Sequence, residues 1–328
     1  MAEGCNSAGV RNRRLGPKKR DEKGRMKKAE LHVHLEGSIG PKTLLAIDPS
    51  LTRAEIESNL TCTSFAQFLQ GYIWVSKKLE KPEHYSLATR HLLDSLAAQD
   101  VTYAEITLSA GVVLWKQQDL AAVYDAVWRE SQRSSVRTFW ILDAIRQFGP
   151  DKGMDVARFA VSRRNYGVIA YGIGGDEVRG PAHWFGDVFS YARDGGLHLV
   201  AHAGETAGPE SIWGALAIGA ERIGHGIAAA KDPRLMAQLR ENNVPLEVCI
   251  SSNLSTGAVE SLDAHPIRAL YNAGVPITVH TDDPAFFRTT LAREYEIAEK
   301  TFGLPAAQLA ANSFRYAFSA TQSDYFSP

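Results

Sequence analysis

Ala29–Glu30–Leu31–His32–Val33–His34–Leu35–Glu36–Gly37–Ser38 is the stretch whose reading decides the fold. Two histidines stand two positions apart inside a short apolar run, and an acidic residue and a glycine follow. In a β-strand, side chains at i and i+2 share a face, so His32 and His34 project together. A strand that runs into a turn with two imidazoles aimed at one point suits a divalent metal. Two unrelated polar residues on a half-exposed strand would look the same, so the rest of the chain has to supply further ligands and a reaction.

The 328 residues are 45% hydrophobic and 22% charged, with a formal net charge of −1. This is ordinary globular composition, with length for a large core. Near-neutral charge gives no electrostatic reason to expect nucleic acid or a membrane surface as partner. No apolar stretch reaches the roughly 18–20 residues of a membrane span. Cys5, Cys62 and Cys249 are odd in number and far apart, which suggests no disulfide framework and makes a reducing cytoplasm the expected location. Residues 1–27 stand apart, rich in Arg and Lys and without the apolar core of a secretory signal; a disordered basic tail is expected there. Met26, just before the first strand, is the expected start of translation.

From Ala29 onward, short β-rich runs alternate with longer helical patterns. The expected strands are Ala29–His34, Val101–Leu108, Arg137–Ile145, Val168–Ile173, Leu197–Ala201, Arg222–Gly224, Pro245–Val248 and Pro276–Val279. Helices are expected between them, for example over Leu120–Ser134, Asp151–Asn165, Trp184–Asp194 and Asp232–Glu241. The span of roughly 40–100 reads as mainly helical, with Phe65, Phe68, Leu69, Tyr72 and Ile73 forming an apolar stripe that belongs to the core or to a pocket wall. The alternation predicts an α/β fold: a (β/α)8 (TIM) barrel with a mainly helical insertion between strands 1 and 2, residues 28–328 forming one domain. A doubly wound open sheet shares the alternation, but there a glycine-rich dinucleotide loop is expected after the first strand, and this chain has His-x-His-Leu-Glu-Gly instead.

Active-site groups of such barrels sit at the C-terminal ends of the strands. Here the first strand ends in His32 and His34, the fourth in Gly174–Gly175–Asp176–Glu177 and the fifth in His202–Ala203–Gly204–Glu205. The sixth ends in Gly224–His225–Gly226 and the eighth in His280–Thr281–Asp282–Asp283–Pro284. Any one of these has an ordinary explanation, such as a satisfied core histidine or a helix cap; their coincidence at one mouth does not. His32, His34 and His202 supply three imidazoles and Asp282 a carboxylate, a set that suits catalytic zinc with a position left for water. Ligand type alone also admits iron or another divalent ion. Barrel hydrolases with two metals commonly use a modified lysine near the end of the fourth strand, and no lysine occurs between Lys152 and Lys231, so one ion is expected. His225 is placed to accept a proton from the activated water and to steady negative charge, and Glu205 to donate one to the substrate. Of Asp282 and Asp283, one reaches the metal and the other is free to hydrogen-bond substrate.

Together these motifs, with Arg222–Ile223–Gly224–His225–Gly226 and Ser252–Asn253, resemble the adenosine deaminase family in content and order from Lys28 onward. The resemblance implies that His32, His34, His202 and Asp282 bind one Zn2+. It further implies that Glu205 protonates purine N1, that His225 orients and deprotonates the water, and that Asp283 and Gly175 contact N7 and N3. His34 and Glu36 are expected to contact the substrate as well, Glu36 standing where the family's aspartate helps bind the ribose 5′-hydroxyl. The implied reaction replaces the 6-amino group of a purine nucleoside by oxygen and releases ammonia. The other zinc deaminase design, with its Pro-Cys-x-x-Cys segment, is absent.

Departures bear on the substrate. Typical adenosine deaminases have aspartate where this chain has Glu36, and glutamate there also occurs in relatives acting on adenine or on aminodeoxyfutalosine, an adenine nucleoside with a large 5′ extension used in menaquinone synthesis. Gly174–Gly175–Asp176–Glu177 resembles the nucleoside enzymes, and Glu105–Trp115 and Gly208–Leu216 resemble the aminodeoxyfutalosine group. His280 replaces a usual asparagine and is expected to be a barrel-interior histidine rather than a fifth ligand. Adenine deamination is the alternative. A metal-dependent amide or phosphoester hydrolase on the same barrel is a further alternative, against which Glu205 speaks. The expected partner is a small purine substrate.

Overall fold

The structure, a computed structural model, describes residues 26–319, so all but the last two residues of the expected basic tail lie outside the described residues. Eight parallel strands form one sheet in chain order: β1 (Lys28–His34), β2 (Val101–Leu108), β3 (Arg137–Ile145), β4 (Val168–Gly174), β5 (His198–Ala203), β6 (Arg222–His225), β7 (Leu246–Val248) and β8 (Ile277–Val279). The sheet curls until its edges meet just beyond β8. There Val33 bridges Asp282, His34 N–H donates to the Asp282 carbonyl at 2.9 Å, and Asp282 N–H to the His32 carbonyl at 2.9 Å. Each strand is followed by at least one helix, as the alternating pattern predicts.

Strand bounds differ from expectation where polar residues interrupt apolar runs. β5 continues two residues past Ala201, because its ladder to β6 pairs His202 with Gly224 and Ala203 with His225. The helix expected from Trp184 begins at Gly186, with a short 3-10 turn over Ala182–Phe185 before it.

Between β1 and β2 lie four α-helices: α1 (Pro41–Ile47), α2 (Arg53–Leu60), α3 (Phe65–Lys78) and α4 (Pro82–Ala97). Their starts follow local chemistry. Proline opens α1 and α4, where its missing N–H costs nothing. Thr52 and Glu55 close a reciprocal capping box on α2, and Ser64 caps α3 through the Gln67 N–H. Phe68 of α3 packs on Phe286 and Phe287, ring centroids 5.4 and 5.3 Å away, just after the Asp282–Asp283 pair. That contact seats α3 over the barrel mouth; truncating Phe68 to alanine would cost about 3–5 kcal/mol.

The main core lies between the sheet and its surrounding helices, and smaller clusters (Ile141, Ala170 and Val200; Leu31 and Tyr103) fill the inside of the curl. At the N-terminal ends of the strands, Arg222 pairs with Glu105 and Glu247 at 2.6 Å each, and Phe318 covers its guanidinium. Among the described residues, no helix is long and apolar enough to cross a membrane.

Candidate active site

A cavity of about 240 Å3 opens at the C-terminal ends of the strands. His34, His202, His225, Glu205, Asp282 and Asp283 line its inner end together with Gly174 and Gly175. His32 lies just beneath them, its ring 4.7 Å from His202 and 5.1 Å from His225. Most of the candidate site side chains expected at the strand ends therefore converge, whereas Glu36, Glu177 and His280 stand outside the cavity.

The clustered side chains could hold a divalent ion: His32, His202, His225 and Asp282 form one such group, and His34, Asp282 and Asp283 a second that shares Asp282. His34 Nε2 and His202 Nε2 face each other at 3.1 Å, and Asp282 Oδ1 lies 3.3 Å from His32 Nε2 and 3.4 Å from His34 Nε2. Tetrahedral ligands about 2.0–2.1 Å from zinc stand roughly 3.3 Å from one another. His32 Nδ1 donates to Glu247 Oε2 at 2.8 Å, and His202 Nδ1 to the Ile173 carbonyl at 3.2 Å. Each bond leaves Nε2 as a bare lone pair directed at the same point, and His32 Nε2 is buried without a hydrogen-bond partner. Ser252 Oγ fixes the other carboxylate oxygen of Asp282 at 2.7 Å.

Charge follows burial. Desolvation pushes His34 down to about 4 and His202 well below its ordinary range, so both rings are neutral, as metal ligands must be. Burial opposes charge on His32 too, but the neighbouring carboxylates of Asp282 and Glu247 outweigh it and raise the group to about 10 without an ion. Burial, with Asp282 and Glu177 nearby, pushes Glu205 well above its ordinary value, which favours its acid form. Burial and the adjoining Asp282 do the same for Asp283, whose Oδ1 has no partner. A Cβ at Gly37 would fall 1.7 Å from that oxygen, which explains the glycine after Glu36.

Backbone conformation is unusual at two of these residues. His225 and Asp282 both have φ of 61°, a left-handed region that costs a non-glycine residue roughly 1–2 kcal/mol. The left-handed turns end β6 and follow β8 so that both side chains point inward. His225 Nε2 then lies 3.6 Å from Glu205 Oε2 and 3.8 Å from Asp282 Oδ2. Gly175, at φ 93°, holds its backbone against Gln147, whose Oε1 accepts the Asp176 N–H at 3.1 Å.

Glu36 stands behind the cavity wall rather than in it. Its carboxyl accepts from the Ser109 N–H at 3.1 Å and from Tyr72 O–H at 3.2 Å, and burial raises it to about 7. Tyr72 and Ser109 line the cavity in its place. His280 lies in the barrel interior, 2.8 Å from Glu30 and outside the groups able to hold a metal.

Sequence reasoning gave no role to several residues that build the site, although it named Glu177 at the end of the fourth strand. Glu177 accepts the N–H groups of Gly204, Glu205 and Thr206 at 2.6, 2.9 and 2.9 Å, and a bond from Ser211 Oγ. It pins the turn that carries Glu205. Glu247, which orients His32, looked like one polar residue in a core strand. Arg146 donates to the Gly180 and His202 carbonyls. Asp143, 2% exposed, reaches the cavity floor with Oδ1 unpartnered. A lone carboxyl within the apolar run of β3 was the only signal for it.

A family model described as adenosine deaminase matches residues 27–324. The aminodeoxyfutalosine deaminase of Streptomyces coelicolor is 37% identical over 298 residues, 86% of this chain and 77% of that protein. An adenine deaminase of Rhizobium johnstonii is 35% identical over 294 residues, 87% of this chain and 91% of that one. The crystal structure of an adenine deaminase from Arthrobacter aurescens superposes with a TM-score of 0.84 at 28% identity, covering 92% of this chain and 96% of its own. With the family model spanning residues 27–324 and relatives above 30% identity matched over most of both chains, the chain belongs to the adenosine deaminase family.

Proposed function

We propose that this chain is a hydrolytic deaminase acting at C6 of an adenine nucleoside with a large 5′ extension, of the aminodeoxyfutalosine kind, and that it holds a single zinc ion. The observation that carries this reading is the outer half of the cavity. It continues from the carboxyl groups at the floor along an apolar wall of Tyr72, Ile73, Val112 and Ile145. At its rim Trp115 of α5 (Ala110–Trp115) stacks on Phe148, centroids 6.1 Å apart and planes at 17°. Trp115 is 57% exposed and Ile73 47%. Free adenine would leave that surface in water, whereas a bulky 5′ group would cover it. In this reading the helices between β1 and β2 are an insertion that walls the cavity, and residues 28–328 act as one domain.

His32, His34, His202 and Asp282 would hold the ion. Zinc bound there supplies a Lewis acid able to lower the pKa of water to about 7. The chain's own residues do the rest. Protonated Glu205 gives its proton to N1, which draws electrons from C6. His225 faces the oxygen that attacks C6. Asp283 meets N7, and the Gly175 N–H meets N3, so that the ring lies flat against the floor. Water adds at C6; of its two protons one joins the amino group, which leaves as ammonia, and the other returns to Glu205, so that a 6-oxopurine remains. Glu36 acts through Tyr72 and Ser109, fixing the wall beside the sugar.

The test is kcat/KM for adenosine, a 5′-extended adenosine and adenine, followed by loss of adenine absorbance and by ammonia release. The reading expects the extended nucleoside to lead by at least tenfold. Preference for free adenine would move the chain to the adenine deaminases, and turnover of none of the three would sink the deaminase assignment.

A further inference from the structure

His225 faces the attacking oxygen in the proposed reaction, and the position of its single proton decides what it can do there. Behind it runs a chain of hydrogen bonds that starts from a donor with no freedom. Ile267 N–H, the first amide of the helix Ile267–Asn272, donates to His265 Nδ1 at 3.2 Å. A backbone N–H cannot accept, and at a helix start it has no partner within the helix. His265 Nδ1 is therefore the acceptor, and the one proton of the neutral ring sits on Nε2. Burial pushes His265 down to about 4, which keeps that ring neutral.

His265 Nε2 lies 3.3 Å from Asn253 Oδ1 and donates to it. That bond fixes the amide, because turning it over would set its NH2 against the imidazole N–H, donor against donor. Asn253 Nδ2 is then aimed at His225 Nδ1, 3.2 Å away. An amide nitrogen only donates, so His225 Nδ1 must accept. All three side chains are buried, Asn253 completely. No water is needed to complete the chain, and each link has one sense only.

We propose that His265 and Asn253 are positioning residues that lock His225 in the Nε2–H form, so that it faces the substrate as a hydrogen-bond donor. Nε2–H points into the space bounded by Glu205 Oε2 and Asp282 Oδ2. There it holds the attacking oxygen by a lone pair and steadies the negative charge that builds as the C–O bond forms. Accepting a proton at the same atom would require the other tautomer, which sets Nδ1–H against the Asn253 NH2 and breaks the chain. Of the two roles expected for His225 from sequence, orientation with charge stabilisation is the one that this chain supports. The inference deepens the proposed reaction, but its main test does not depend on the substrate.

The experiment is long-range 1H–15N NMR on zinc-loaded protein carrying 15N-histidine, with His225 and His265 signals assigned by their loss in His225→Gln and His265→Gln. The expected pattern for both rings is a protonated Nε2 and an unprotonated Nδ1. A His225 signal with the proton on Nδ1 overturns the proposal. Asn253→Asp then supplies the converse, since a carboxylate accepts from both neighbours. The His225 pattern should invert, and kcat should fall at least tenfold with KM within about twofold. An unchanged pattern, or a kcat that rises because a better base has been made, refutes the assignment. Should that variant fail to fold, the wild-type spectrum decides alone. Absence of turnover on every adenine compound, with the Nε2–H pattern intact, would overturn the proposed reaction and leave the tautomer standing.

Discussion

Glu177→Gln tests how the turn after β5 is held. The wild-type carboxylate accepts three backbone N–H groups and two hydroxyls, four of these bonds at 2.6, 2.9, 2.9 and 3.3 Å. The amide has one acceptor oxygen, and its NH2 would face N–H groups already pointing inward. At least two buried donors lose their partner, and hydrogen bonds to a charged group contribute about 1.5–3 kcal/mol each, so the loss is about 3–6 kcal/mol. Urea unfolding of the apoprotein at pH 7 reads the stability, and kcat reads the displacement of Glu205. The donors around Glu177 outweigh its burial and depress its pKa below 4.5, so its contribution is complete above the unfolded value and is lost as pH falls below it. The difference between wild type and Glu177→Gln should therefore shrink on acidification below about pH 4.5. A stability change under 0.5 kcal/mol at pH 7, with kcat intact, would refute the account.

Glu205→Gln should lower kcat by about 10^2–10^4, the range for a lost general acid, while zinc content measured by atomic absorption stays at one per chain. Chelation should abolish turnover and zinc restore it; at a thousandfold excess over Kd the ion should also add about 4 kcal/mol to unfolding, visible as a shift in melting temperature. Trp115→Ala should raise KM for the 5′-extended nucleoside about tenfold and leave adenine kinetics within twofold, as expected if the ring covers only the extension. Burial and Glu36 raise Asp143 to about 8, so the folded apoprotein keeps a proton that the unfolded chain releases near pH 4. Its stability cost thus grows from about pH 4 to about pH 8, and Asp143→Asn should gain stability relative to wild type across that window; a gap that narrows as pH rises would contradict the burial argument.

What the sequence disclosed and what it withheld divide along one physical line. The strands were legible because a parallel sheet covered on both faces needs continuous apolar runs, so each histidine or carboxylate that interrupts a run marks an end. His32 and His34 share a face by the period of the strand itself. Glu177, Glu247 and Asn253 depend on partners 27 or more, 215 and 28 positions away, respectively. Their identity as carboxylate or amide is visible in the chain, but the donors they serve are chosen by strand order and register, which no local pattern encodes. Glu36 shows the same limit from the other direction. Its match to the aspartate of typical family members pointed to the sugar, yet Ser109 and Tyr72, brought in by the segment after β2 and by α3, take up its carboxyl first. A residue's type thus proposes a role, and the competition among nearby donors settles which one it fills. For His225 that competition runs through Asn253 and His265 to a single backbone amide, Ile267 N–H, so the chemistry at the mouth of the barrel is set by the first turn of a helix behind it.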